Sequence, residues 1–450
     1  MKPILASLAA LALLLSAVPA AARVTDKEAA QLGGALTPVG AEKAGNKDGS
    51  IPPWTPGKQR GSLSGEFYTD PAVEADQPLL TITRANMAQY APRLSEGHLK
   101  LLATHDSYKL PVYPSHRHSA WPEPIYAATR ENAVRCELRG TDELYGCRLG
   151  FPFPIPKSGA EAIWNHKLKW RGESVTRYNN QMIVQPSGQF QLTKIIEDVR
   201  FVYASIKNPV TLEGGQSDYL HYMARTTAPP RLSGTTILVH DKVGTGSEGR
   251  AAWLYTPTLK RVRRAPTVCC DNPAEGTDGN QFYDQVDMYN GVLERYNWKL
   301  VGKREMILPY DPFRLISPKT RFADLARPKH LNQDLARYEL HRVWVVEAEL
   351  RAGETHAFKK RRFYLDEDGW AIAMIDNYDN RGQLVQFQEG HIGFGYNILA
   401  TSAAPEVIYH FGSGRYFVTT LFNEDKPYDF TQDYRPDYFS AATVQKRATR

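Results

Sequence analysis

The chain has 450 residues, with 55 Lys and Arg against 49 Asp and Glu and a formal charge of +6. So nearly balanced a surface does not imply nucleic acid, and no nucleic-acid partner is expected. The 24 Tyr, 17 Phe and 8 Trp suit half-buried strands that pack large rings, which disfavours an all-helical chain.

At the N-terminus, Lys2 supplies a positive start, Ile4 to Val18 form an apolar run broken only by Ser7 and Ser16, and Ala20-Ala21-Ala22 offers small residues to a signal peptidase. Residues 1–22 therefore read as a secretory signal cleaved after Ala22. An apolar run of about 15 residues is too short to span a bilayer of roughly 30 Å, and no later segment is long enough. No Cys stands beside the cleavage site to take a lipid anchor. The expectation is a free periplasmic protein.

Residues 23–82 are expected to form an extended arm, because Gly45-Asn46-Lys47-Asp48-Gly49 and Ile51-Pro52-Pro53-Trp54 favour turns over regular structure. Residues 83–450 are expected to form one large domain. Thr83 is placed to cap a helix through Tyr90, Pro92 interrupts it, and Ser95 restarts it through Leu102. Ser158 precedes a short helix containing Ala162, Ile163 and Trp164. Cys136 and Cys147 flank a ten-residue segment with two Gly, and in an oxidising compartment this predicts a disulfide. For the neighbours Cys269 and Cys270, a vicinal bond, free thiols and pairing elsewhere all remain open.

From about residue 170 strand-like runs dominate: Phe190 to Tyr203, Tyr219 to Thr227, Thr235 to His240, Ala251 to Tyr255, Trp298 to Leu308, Tyr338 to Leu350 and His356 to Leu365. Asp366-Glu367-Asp368-Gly369 and Asn380-Arg381-Gly382 are hairpin turns between further runs, so consecutive strands should pair antiparallel. So many strands need closed or covered edges. The predicted fold is a large curved antiparallel sheet or incomplete barrel, with a few helices plugging its opening.

Chemical motifs are weak. Gly244-Thr245-Gly246-Ser247-Glu248-Gly249 has dinucleotide-loop spacing, but a strand follows where a helix is needed, so it reads as a turn. His116-Arg117-His118 reads as a polar surface loop, and Asp366, Asp368, Asp376 and Asp379 read as hairpin turn residues, with no complete metal-ligand order. No cofactor, metal or catalytic residue is implied. Arg261, Arg263 and Arg264 alternate along a predicted edge strand, suited to solvent, an acidic lipid head group or a partner. Trp253, Tyr255, Phe282, Met288, Tyr289 and Trp298 are the candidate ligand-contacting set, since a curved sheet has one concave face to cover, with ordinary core packing the rival reading for each one taken singly.

Several stretches resemble a family of secreted Gram-negative proteins, domain of unknown function 1329. They are Leu36 to Asn46, Phe151-Pro152-Phe153-Pro154-Ile155-Pro156, Glu161 to His166, and Trp298 to Glu305. Arg250 to Pro257 with Arg261 to Arg264 is similar to a hairpin of the LolA/LolB lipoprotein carriers. That resemblance implies an incomplete barrel holding acyl chains on its concave face, although the lipidated Cys of LolB is lacking. The family resemblance also implies a setting beside inner-membrane exporters and outer-membrane proteins. The expected function is a carrier or accessory protein for a lipid or other hydrophobic molecule. Its rivals are a structural partner of an envelope complex without a ligand and a periplasmic hydrolase.

Overall fold

The computed structural model describes residues 24–65, 69–215, 217–245 and 249–448, so the expected signal segment lies outside the described residues. A 16-stranded sheet dominates. Its path starts at Leu80–Ile82 and Leu110–Val112 and continues through Tyr338–Leu350, Lys360–Asp366, Ile372–Tyr378, Leu384–Gly395, Ala400–His410 and Tyr416–Leu421. It then returns to Asn180–Val184, crosses Phe190–Arg200, Asp218–Ala228, Thr236–Lys242 and Arg250–Thr256, and ends at Arg261–Arg264. The two ends do not pair, so the sheet is not closed into a barrel. Sequence neighbours pair antiparallel as the turn residues require: Phe363 faces Ile375 across the Asp366 turn, and Leu238 faces Trp253 across the loop containing Gly244. That loop joins two strands, although residues 246–248 lie outside the described residues.

The seam between the two halves is the pairing of Tyr416–Leu421 with Asn180–Val184, antiparallel and set by Tyr416 opposite Val184. It turns two meanders into one curved surface. Helix Gly159–Lys167 packs against strands Tyr296–Pro309 and Tyr338–Leu350 with every residue buried. Ser158 caps it by accepting the Glu161 N–H. Gly159 allows this contact, since a Cβ there would stand 2.9 Å from Val346 Cγ1 and 3.0 Å from the Lys299 backbone. Helix Glu96–Thr104, capped by Ser95, presses on Leu384–Gly395 in the same manner through Gly97. Helix Glu123–Arg135, which the sequence reading did not anticipate, has Pro124 in its first turn and ends at Cys136. Cys136 is bonded to Cys147. This disulfide ties the helix to a separate three-stranded sheet.

Several boundaries differ from the sequence expectation, as where the strand expected over Phe190 to Tyr203 ends at Arg200, and two of them have identifiable reasons. The helix expected from Thr83 begins only at Met87, because the Asn86 side chain accepts the Thr83 N–H at 2.8 Å and holds a turn there. The strand expected from His356 begins at Lys360, because His356 is drawn to Asp284 at 3.0 Å and accepts the Phe358 N–H. The arm is bound down by Arg117, whose guanidinium donates to the carbonyls of Glu42, Ala44 and Pro52 and to both oxygens of Asp368. The acidic turn Asp366, Glu367 and Asp368 is consequently buried under the arm.

Candidate cleft on the concave face

In strand Thr236–Lys242, Ile237, Val239 and Asp241 line a cavity of about 1060 Å³ that is partly open to solvent. Leu238 and His240 point the other way, as strand alternation requires. Ile195 and Val199 of the next strand but one, with Val268 and Val286 from the loop opposite, extend the apolar wall. A second cavity of about 800 Å³ shares Gln181, Tyr222 and Val286 with the first. It shares Ile316, Phe422 and Tyr428 with a third of about 900 Å³, whose wall adds Val175, Phe201 and Phe430. These overlapping spaces make one cleft, apolar at both ends. Arg171 and Arg177 line all three.

The charged middle is built by the chain leaving helix Gly159–Lys167. Asp287, at φ +54, a backbone region Asp tolerates better than most residues, aims Oδ2 at Lys169 Nζ, 2.8 Å away, and at Arg171. Burial alone would raise the Asp287 carboxyl, but Arg171 and Lys169 outweigh it and hold the group well below the usual carboxylate range. Burial lowers Lys169 to about 8 despite its Asp287 partner. His166 is lowered to about 3 by burial and by the Lys169 charge, so it is neutral. It donates from Nε2 to the Asp287 carbonyl and accepts the Ile372 N–H at Nδ1. Arg177 pairs through Nε with Glu197 at 2.6 Å, and Glu197 also accepts from Asn179 and Tyr222. Glu406, buried and accepting the Met288 N–H at 3.0 Å, is pushed up to about 8 by burial and by the Asp287 charge.

The residues expected to contact ligand lie elsewhere than this cleft's lining. In strand Arg250–Thr256, Arg250 and Ala252 sit on the cleft side or its rim. Trp253 and Tyr255 are therefore on the opposite face, packed with Met223, Phe439 and Val444 beneath helix Ala441–Ala448. Tyr289 and Trp298 come together, ring centroids 5.6 Å apart, in the core beside Phe363, and Met288 is buried in the same cluster. Phe282 lies against Phe358, ring centroids 5.6 Å apart and tilted at 45°. Arg261, Arg263 and Arg264 stand on the terminal strand of the sheet path, exposed, with Arg264 over the Trp253 ring.

Cys269 and Cys270 are free thiols 2.8 Å apart on a neighbouring cavity of about 930 Å³. The hydrogen bond from Cys270, with Arg295 and Arg250 nearby, lowers Cys269 to about 6, while Cys270 is raised. Among the described residues two groups have donor atoms close enough to hold a metal ion, Asp218 with His221 and His240, and His341 with Asp366 and Asp368; within each group these atoms lie within 4.8 Å of one another. No motif or spacing in the sequence marks Arg171, Lys169 or Asp287. Basic residues after a helix are common complements of its dipole, and nothing marks a loop Asp as their partner. Arg177 and Glu197 did leave a signal, as they are cross-strand partners in register.

Residues 81–445 match a family of proteins of unknown function, DUF1329. An uncharacterized protein of Pseudomonas aeruginosa is 41% identical over 448 residues, covering 98% of this chain and 97% of its own. Among solved structures, a DUF1329 family protein from Desulfovibrio piger aligns at 12% identity and a TM-score of 0.43 over 63% of this chain and 95% of its own. A LolA superfamily protein from Nitrosomonas europaea aligns at 12% identity and a TM-score of 0.36 over 63% of this chain and 97% of its own. The chain belongs to the DUF1329 family.

Proposed function

We propose that this member of the DUF1329 family is a periplasmic carrier or accessory protein that holds a lipid or other hydrophobic molecule in the cleft, in envelope transport with an inner-membrane exporter and an outer-membrane protein. The observation that supports it is the cleft itself, with aliphatic and aromatic walls running from Val239 and Val268 to Phe422 and Phe430 on the concave face of an unclosed sheet. The apolar segment Ile4 to Val18 and the Cys136–Cys147 bond support the periplasmic setting.

No covalent chemistry is required. Burying acyl carbons contributes roughly 0.8 kcal/mol per methylene. A ten-carbon segment thus gains about 8 kcal/mol before association costs of ~4–15 kcal/mol are met. At the low end of that cost the surplus is about 4 kcal/mol, weak enough for reversible binding, and at the high end a ten-carbon segment alone does not suffice. The test is uptake of the neutral fluorescent probe N-phenyl-1-naphthylamine by the wild type and by Ala224→Trp, which places an indole in the cleft from a position that is 8% exposed. Saturable fluorescence enhancement in the wild type, reduced at least fivefold in a folded Ala224→Trp, is expected. No enhancement in the wild type overturns the reading.

A further inference from the structure

Apolar walls explain why a hydrocarbon would enter the cleft; they do not explain why its middle is charged. Arg171 and Arg177 meet there with the carboxylates of Asp287 and Glu197, and Lys169, buried and outside the lining, pairs with the same Asp287 oxygen as Arg171. Of the other charges along the walls, Arg250 pairs with Asp241 and Asp425 with Lys194, and Glu275 is exposed at the rim, where solvent screens it from the middle. Glu406 adds little negative charge near neutral pH, because burial and Asp287 push its carboxyl up to about 8. Three cations therefore face two ionised carboxylates, which leaves a net positive centre between two apolar ends.

The hydrogen-bonding state points the same way. Arg171 Nε is buried without a partner, and its guanidinium stacks over Phe201, 4.8 Å from the ring centroid. Among the described residues the guanidinium of Arg177 makes one hydrogen bond, from Nε to Glu197. A buried donor left unmade costs about 1–3 kcal/mol, so such groups usually have an acceptor in the working state. Arginine's planar fork matches carboxylate and phosphate geometry.

We infer that the cargo is an amphiphile with an anionic head group, a carboxylate or a phosphate, seated at Arg171 and Arg177 with its hydrocarbon along the apolar walls. The inference rests on the carrier reading and adds the chemical class of the ligand. A neutral lipid would leave the positive centre without a counter-charge, and a cationic one would meet like charge.

The test is displacement of N-phenyl-1-naphthylamine from the full chain by dodecanoate, dodecyl phosphate, dodecanol and dodecyltrimethylammonium, each below its micellar concentration. The expected result is displacement by dodecanoate or dodecyl phosphate at concentrations at least tenfold lower than dodecanol, with the cation weakest. The stronger of the two anions identifies the head group. In Arg171→Met the preference for the anions over dodecanol, taken as a ratio within the variant, should shrink to threefold or less. Dodecanol binding as tightly as both anions in the wild type, or the cation binding tightest, overturns the head-group inference and leaves the carrier reading standing. Failure of the probe and all four amphiphiles to bind overturns both. Because the wild-type series decides the matter, a variant that does not fold leaves the test intact.

Discussion

Glu406 offers a stability experiment whose sign follows from its surroundings. The carboxyl is buried in the cleft's middle, near the ionised Asp287, and is pushed from 4.5 up to about 8. A group raised on folding contributes stability that is fully present below its unfolded value and lost as pH rises through its folded value. At ~1.4 kcal/mol per pH unit, the interval from 4.5 to about 8 sets a ceiling of about 5 kcal/mol on that loss. Glu406→Gln keeps an oxygen to accept the Met288 N–H and removes the titration. Urea unfolding of both proteins between pH 4 and pH 9 should give curves that nearly coincide at pH 4. They should diverge progressively, until the variant is more stable by roughly 2–5 kcal/mol at pH 9. Other titrating groups are common to both proteins, so the difference isolates this carboxyl. A difference that stays constant across the range would refute the claim that Glu406 is held neutral, and with it part of the positive balance assigned to the cleft.

Three further outcomes are expected. Replacing Cys136 and Cys147 together by Ser opens a loop with a sequence separation of 11 and should cost about 3 kcal/mol in denaturant unfolding, compared with the oxidised wild type. Gly97→Ala should lower stability by about 1–3 kcal/mol in thermal unfolding, because a Cβ there would lie 2.1 Å from Phe387 Cδ2 and the helix must move off the sheet. Asp284→Ala strands Arg361, which is fully buried and pairs with Asp284 at 2.6 Å, and should cost about 3–5 kcal/mol in the same assay.

Local features were readable where chemistry and period agreed. Ser95 and Ser158 cap the helices they were expected to cap, and strand Tyr338–Leu350 begins and ends where its pattern does. The turn at Asp366 was also plain, but its burial was not, since that depends on Arg117 arriving from a distant loop. What sequence could not supply was the seam between Tyr416–Leu421 and Asn180–Val184, two segments more than 200 residues apart whose pairing has no local signature. That seam, with the returning loop around Asp287, brings Arg177, Glu406 and Arg171 to one cavity. The aromatic residues singled out for the ligand illustrate the same limit. Trp253 and Tyr255 alternate properly along their strand, yet only the fold decides which face looks into the cleft.

The central claim is that the cleft holds a hydrophobic molecule, and native mass spectrometry of protein purified from the periplasm tests it most directly. The mass should exceed that of the chain by one stoichiometric ligand, which organic extraction releases as a lipid or comparable amphiphile. A protein at its bare chain mass, whose extract contains no such molecule and which takes up no added fluorescent fatty acid, would contradict the account.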